Sequence, residues 1–424
     1  MMNRNHLSSG AGAMLDFSQF RVLDFVREQG RATRSDVVGT LGLSQPSVSR
    51  IVSKLLKMGL LQEEGGSGRT RGRPGRVLRY NAQLGAVMAF DVGGTKIHSA
   101  LADLAGSVLD EHIRPTLEQG DAYSTLLAAL REHESVALSR GVWVWAMAVG
   151  VPALLEPETG RVVAAPNIGW FDVDLMTRLQ RDAPIPCVIE NDVNLAALAQ
   201  AWKGAGRGLE CCVTLSIGTG VGAGIVVDGN LFRGKGGAAG EIGYLVVGSE
   251  QLRSPSEGGL GVLDSIASGP ALRRRARELM SSNPGSSELE PETVTPERVL
   301  EAATRGDPVG AQVVEEFLDN LAVALIAIAA ILSPDCIVLD GGVGRALEPW
   351  LEDLRRRLAL RLLVVPELLV SRLGSNSTLE GGVAAALAVA HWRSSPSGTE
   401  ASAVPSRASM TSSVVGGVAF NRRT

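Results

Sequence analysis

Two stretches of the chain follow one pattern. "VMAFDVGGTKIHSALADLAG" (Val87–Gly106) and "VTLSIGTGVGAGIVVDGNLF" (Val213–Phe232) each read as apolar strand, Gly/Thr turn, strand, polar turn. Apolar runs joined by glycines are hairpin signals, and two in one chain predict a duplicated, two-lobed body. Gly-turned hairpins are common, so the echo needs support from the rest of the chain. From 84 to 392 apolar strands, Gly-rich turns and helical stretches alternate, which predicts an α/β body. Its lobes are expected at about 84–205 and 206–375, with a final helix returning to the first. "SSNPGSSELEPETVTPE" (Ser281–Glu297) reads as a surface loop, and "LAVALIAIAAIL" (Leu321–Leu332) as a buried helix too short to span a bilayer.

Residues 17–80 follow a different logic. "FSQFRVLDFVREQG" spaces Phe17, Phe20, Leu23 and Val26 about one helical turn apart. In "TRSDVVGTLGLSQPSVSRIVSKLLKMGLL", Thr33 with Asp36 forms a capping-box pattern, Gly42 supplies a turn, and Ser44 caps a last helix that tolerates Pro46 in its first turn. Val48, Ile51, Val52, Leu55 and Leu56 fall on one stripe of that helix. The other face carries Gln45, Ser47, Ser49, Arg50, Ser53, Lys54 and Lys57, which suit base edges and phosphates in a major groove. "LLQEEGGSGRTRGRPGRVLRY" then reads as strand, basic tip, strand, a wing bearing Arg69, Arg71, Arg73 and Arg76. A winged helix-turn-helix is expected here, and such modules usually read double-stranded DNA as dimers. Arg79–Gly85 passes directly from the wing into the first strand of the body, a link short enough to carry motion.

Composition bounds the class. Of 424 residues, 45% are apolar and 20% charged, and the net charge of −4 means that nucleic-acid contact must come from a local basic patch. Residues 1–16 lack the apolar core of a signal peptide and are expected to be flexible; the Ser/Pro/Gly-rich 394–424 is expected to be a disordered tail. Cys187, Cys211, Cys212 and Cys336 have no metal-ligand spacing and read as buried free thiols in a cytoplasmic protein without membrane contact.

Three Gly turns in the body carry chemistry. "DVGGTK" sets Asp91 at a strand end before Gly93, Gly94, Thr95 and Lys96: the glycines let backbone N–H groups approach a phosphate, and the carboxylate can hold magnesium through water. "SIGTGVGAG" offers a second cradle at Gly218, Thr219 and Gly220. "IVLDGGVG" offers a third at Gly341 and Gly342, suited to an adenosine. Each alone is a weak signal, usually no more than a hairpin turn; the three in this order are specific, and Mg-ATP is the cofactor they would suit.

These motifs, with "VGVPALLEPETG", "APNIGW", "IENDVNLAALA", "GAAGEIGYL" and "GLGVLDSIASGP", make the chain resemble the ROK family of repressors and sugar kinases. The resemblance runs from about Phe17 to Trp392 and is closest to the winged-helix regulators of the xylose-repressor and N-acetylglucosamine-repressor type. It implies a two-lobed actin-like ATPase fold with sugar in the cleft. It makes Asp192 of "END" the general base toward a sugar hydroxyl, a role compatible with its plainer reading as a helix-start residue, and gives Asn167, Asn191 and Glu241 hydrogen bonds to sugar.

The chain departs from the family at three places. Pro255, Glu257 and Val262 stand at the cysteine positions of the family's zinc module and Tyr244 at its histidine, so no zinc is expected there and no metal site is assigned. Asp264 stands where a sugar-binding Glu is usual, which with Tyr244 alters the pocket, and Ala153 replaces a Gly after Pro152. The expectation is a sugar-responsive regulator acting as a homodimer on an operator. A sugar kinase of glucokinase type, alone or combined with regulation, is the alternative, because the nucleotide motifs are intact.

Overall fold

The computed structural model describes residues 17–65, 76–253 and 261–393. The chain divides into two compact units. The first holds the residues up to Val149, Asp174–Ile189 and the chain from Val383; the second holds Gly150–Val173 and Glu190–Gly382.

The first unit opens with α1 (Phe17–Gln29), β1 (Ala32–Thr33), α2 (Arg34–Leu41), α3 (Gln45–Lys57), β2 (Leu61–Glu64) and β3 (Val77–Tyr80). The strands form a small sheet in the order β1-β3-β2, so the head is a winged helix. Its local signals work as read. Thr33 and Asp36 make a reciprocal capping box, Gly42 ends α2, and the Ser44 hydroxyl accepts from the Ser47 amide. Val48, Ile51, Val52 and Leu55 of α3 are buried with Leu23 and Val26 of α1, while Leu56 is only half-buried. Arg69, Arg71 and Arg73 of the wing tip, residues 1–16 and the tail 394–424 lie outside the described residues.

The body continues with β4 (Gly85–Val92), β5 (Lys96–Asp103), β6 (Val108–Pro115), α4 (Ala122–Ser139) and β7 (Trp143–Val151). After β8 (Leu154–Glu156), β9 (Arg161–Ala165) and β10 (Trp170–Val173) come α5 (Leu175–Asp182), β11 (Cys187–Asn191) and α6 (Asp192–Trp202). The second unit adds β12 (Cys211–Ile217), β13 (Val221–Val227), β14 (Asn230–Leu231), α7 (Val262–Ala267), α8 (Gly269–Ser282), α9 (Pro296–Thr304) and α10 (Pro308–Leu332). It closes with β15 (Cys336–Asp340), α11 (Gly341–Ala346), α12 (Leu351–Ala359), β16 (Glu367–Val370) and α13 (Ser377–Arg393), whose last residues return to the first unit.

The sequence echo is a topological repeat. The two five-stranded sheets run β11-β7-β4-β5-β6 and β14-β13-β12-β15-β16. In each, the first strand of the Gly-turned hairpin is central, its second strand and the next strand complete one side, and two later strands extend the other. Buried β4 and β5 form the middle of the first sheet, and α10, apolar around most of its girth, fills the core of the second unit. No helix of the described residues is long and apolar enough to cross a membrane. All four cysteines are free; Cys212 and Cys336 are buried as expected, but Cys187 and Cys211 are only half-buried.

Head and first sheet share a packed joint. Leu84 and Trp145 pack against the head's core, and Asn81 donates through its side chain to the Gly59 carbonyl at 2.8 Å. Gly85, the first residue of β4, lies under Trp145 so closely that a Cβ there would sit 2.4 Å from the indole Nε1. Gly85→Ala should therefore displace Trp145 and destabilise the protein by about 1–3 kcal/mol in chemical denaturation. Gly39→Ala, in helix α2 with nothing within 4 Å of the new methyl, should instead stabilise by about 0.5–1 kcal/mol. Equal effects from the two substitutions would contradict the joint as described.

Candidate functional site

Three groups of residues bear on function. The first is the exposed face of α3, opposite its buried stripe. Gln45, Ser49, Arg50, Ser53, Lys54 and Lys57 are exposed. Ser47 is half-buried, and its hydroxyl accepts from that of Ser44 at 2.9 Å, so it is partly committed to the cap. Arg50, Lys54 and Lys57 form no ion pair among the described residues. The arginines around the wing base do: Arg34 and Arg76 share Glu63, and Arg31 and Arg79 share Glu64. Four arginines on two glutamates still leave an excess of positive charge beside a helix whose own cations are uncommitted.

The second group, in the first unit, is the turn between β4 and β5. Asp91 is half-buried at the end of β4, in register with His98, and Gly94, Thr95 and Lys96 are exposed. The turn is closed by the Gly93 amide donating to the Lys96 carbonyl at 2.9 Å. Thr116, itself buried, fixes it from behind: its hydroxyl donates to the Gly93 carbonyl at 2.6 Å and its amide to the Thr95 carbonyl at 3.0 Å. The sequence reading did not single out Thr116, whose role depends on the β5–β6 pairing rather than on any local motif.

The third group belongs to the second unit. β12 and β15 pair in parallel with Ser216 opposite Asp340, so the turns that follow them emerge at the same sheet end. This carboxyl edge is where open α/β sheets usually bind ligands. Gly218, Thr219 and Gly220 form one turn; the Gly218 carbonyl accepts from Gly269 at the start of α8 at 2.8 Å. Gly341 and Gly342 do not form a loop after β15: they open α11, with Asp340 as its N-cap. Gly341 has φ 80°, and a Cβ on it would stand 2.4 Å from the Ile217 carbonyl oxygen, so this close approach admits only glycine. Asp340 Oδ1 accepts from the Gly341 amide at 2.8 Å and from Arg345 at 2.9 Å, while its buried Oδ2 has no hydrogen-bond partner among the described groups. The Gly218–Gly220 turn, the glycine-opened start of α11 and an Asp340 oxygen without a partner among the described groups thus lie at one end of this sheet.

Asp192 begins α6, and Asn191 is the residue that caps it, its Oδ1 accepting from the Val193 and Asn194 amides at 2.9 and 3.1 Å. Asn191 Nδ2 also donates to the Ala153 carbonyl at 3.2 Å, so this side chain already has local work on both ends. Burial pushes the Asp192 carboxyl above the ordinary range, although the Val193 amide donating to it pulls the other way. Burial, with the Asp264 and Asp192 charges, also raises Glu241, which places Glu241 within electrostatic reach of both. Asp264 is braced: Oδ1 accepts from the Val221 amide at 2.7 Å, next to the second Gly turn, and Oδ2 from Gly261 at 3.3 Å. Asn167 and Tyr244 are exposed. Pro255 and Glu257 lie outside the described residues.

Glu190, buried before Asn191, was missed. Its Oε1 accepts from the Asn191 amide and Asn194 Nδ2, both at 2.9 Å, and its Oε2 from Arg233 at 2.7 Å. It holds the chain at Asp192 in place, a role that "END" on its own does not reveal because Arg233 comes from a distant loop.

Residues 87–390 match the ROK family and residues 15–70 the MarR family. The chain is 33% identical over 310 residues to a glucokinase of Halalkalibacterium halodurans, covering 69% of this chain and 92% of that protein. It is 27% identical over 374 residues to the xylose repressor of Caldicellulosiruptor bescii, covering 86% of this chain and 93% of the repressor. A solved ROK family transcriptional regulator, described as a homolog of the E. coli MLC protein, superposes with a TM-score of 0.76 at 24% identity, covering 89% of this chain and 96% of that one, and so shares its fold. With its Gly-turned sheets joined to a winged-helix head, the chain belongs to the ROK family.

Proposed function

We propose that this protein is a sugar-responsive transcriptional regulator: a winged helix that binds operator DNA, set on a ROK body that senses a sugar or sugar derivative. The observation that carries this is the head. Its α3 has one buried face and one exposed face with uncommitted Arg50, Lys54 and Lys57, and it is packed onto the first sheet through Leu84 and Trp145 rather than tethered by a linker. Gln45, Ser47, Ser49, Arg50 and Lys54 read bases and phosphates, with Arg71 and Arg73 of the wing. The similarity to a xylose repressor over most of both chains supports the same reading.

In the body, Asn167, Asn191, Asp192, Glu241, Tyr244 and Asp264 form the sugar pocket, with Asn191 and Asp264 shaping it through the backbone they hold. In the first unit, Asp91, Gly93, Gly94, Thr95 and Lys96 take phosphate, with magnesium held through water by Asp91; in the second unit, Gly218, Thr219, Gly220, Gly341 and Gly342 take a nucleotide. The regulator works as a homodimer. Sugar shifts the population between two states of the body, which hold the paired heads differently.

A second reading, a sugar kinase combined with regulation, is favoured by Asp192. A carboxylate whose proton affinity is raised by burial is a better base toward a sugar hydroxyl. The similarity to a glucokinase supports it.

The test of the regulator is titration of an operator fragment with a panel of hexoses, pentoses and N-acetyl sugars. At least one sugar should change affinity about 5–150-fold, the usual range of allosteric coupling. Indifference to every sugar would sink the proposal. Arg50→Ala should cost about 1–3 kcal/mol of operator binding if it contacts a base bidentately; an unchanged affinity and footprint would remove Arg50 from the reading face. For the kinase reading, ADP release from Mg-ATP should depend on sugar and vanish in Asp192→Asn. Because the base must be deprotonated, turnover should fall as pH drops through the raised Asp192 pKa, so its acid limb should lie above the ordinary Asp range. A wild type that is silent with every sugar would leave a sensor without chemistry.

A further inference from the structure

On the first sheet, the edge strand β6 and the helix α4 bring two histidines to one carboxylate oxygen. Asp110 and His112 stand two apart on β6 and so share a face of the sheet. His133 comes from α4, which packs against β4, β5 and β6. Asp110 Oδ2 lies 2.9 Å from His133 Nδ1 and 3.0 Å from His112 Nε2, and all three ligand atoms fall within 4.8 Å of one another. The neighbouring Glu111 is spent elsewhere, on His98 Nε2 at 2.6 Å.

We infer that Asp110, His112 and His133 form a binding site for a divalent transition metal of the zinc class. Two imidazoles and a carboxylate are a common donor set for zinc, with Zn–N and Zn–O bonds of about 2.0–2.2 Å. A tetrahedron of that size sets neighbouring ligand atoms about 3.3 Å apart, so the two short pairs open by a few tenths of an ångström and the two ring nitrogens, within 4.8 Å of each other, settle to the same spacing when the ion enters.

The outer contacts favour the same role. His133 is fully buried, and its second ring nitrogen, Nε2, lies 2.9 Å from the hydroxyl of buried Ser99. Ser99 in turn sits opposite His112 in the β5–β6 register, which ties both imidazoles to one strand pair. A hydroxyl can donate to Nε2 when Nδ1–H faces Asp110, or accept from Nε2–H when Nδ1 binds a metal, so His133 is satisfied in both states. His112 and Asp110 are half-buried, which leaves the ion a way in. Three protein ligands leave a fourth position for water or for Glu132, whose carboxylate lies 3.9 Å from His112 Nε2 and is ion-paired with Arg114.

This position is distinct from the 255–262 loop, where the family resemblance places zinc and this chain has lost the ligands. A metal here would clamp the edge strand to its covering helix, in the unit that also carries the head.

The test uses the full chain, stripped with a chelator and dialysed, then titrated with Zn²⁺ alone in competition with a chromogenic chelator. The wild type should bind one equivalent and gain thermal stability from it. His112→Ala and Asp110→Asn, at half-buried positions, should weaken binding at least tenfold and abolish the zinc-dependent rise in melting temperature, with metal-free melting kept near that of the wild type as the control for folding. A Co²⁺-loaded wild type should show tetrahedral visible bands that are lost in His112→Ala. Absence of zinc binding by the wild type, or an equivalent that survives both substitutions, would overturn the assignment.

Discussion

The contact between the head's core and the start of the first sheet is what gives the remaining features a shared purpose. Leu84 and Trp145 extend the apolar cluster of α1, α2 and α3 into the body, and Asn81 bonds back to Gly59. Apolar contact of this kind is costly to separate, because both surfaces would have to meet water. Packed side chains of this kind are a route by which a change in the first sheet would reach α3, where a flexible tether would absorb it. That is a requirement for a ROK body to govern a winged-helix head.

Within the second unit, polar groups are spent on positioning before any ligand arrives. Asp264 holds the amide beside the second Gly turn, Asn191 caps α6, and Glu190 fastens the same segment to Arg233. Polar groups drawn out of water must find partners, and here they are backbone amides of the same segments together with the Asn194 and Arg233 side chains. Asp264 matters in this light, because its side chain reaches the Val221 and Gly261 amides and so fixes the turn.

What could be read from the sequence was local or periodic. The stripe Val48–Leu55, the Thr33 box and the Ser44 cap depend on residues three or four apart, and the structure realises them. The repeated hairpins were visible because each is contiguous in the chain. What escaped depends on distant pairings. The parallel register of β12 with β15, which brings Gly218 and Gly341 to one sheet end, has no sequence period. Gly341 reads as a turn residue, yet it opens a helix, because Asp340 caps that helix with its own carboxylate. Asp110 and His112 show the alternation of a strand face, but nothing near them announces that His133 will arrive from α4.

The unequal commitment of cations on the head has a consequence for how binding would respond to salt. Each phosphate neutralised by a free cation releases counterions and adds about 0.9 to the slope of log affinity against log salt. Arg31, Arg34, Arg76 and Arg79 already have carboxylates as neighbours, so part of their charge is balanced before DNA arrives. Arg50, Lys54 and Lys57 have no such balance among the described residues. Among the described residues, the cations left to balance phosphate are thus those of α3, the helix proposed to face the bases, and ionic strength would act on its contacts more than on those of the paired arginines.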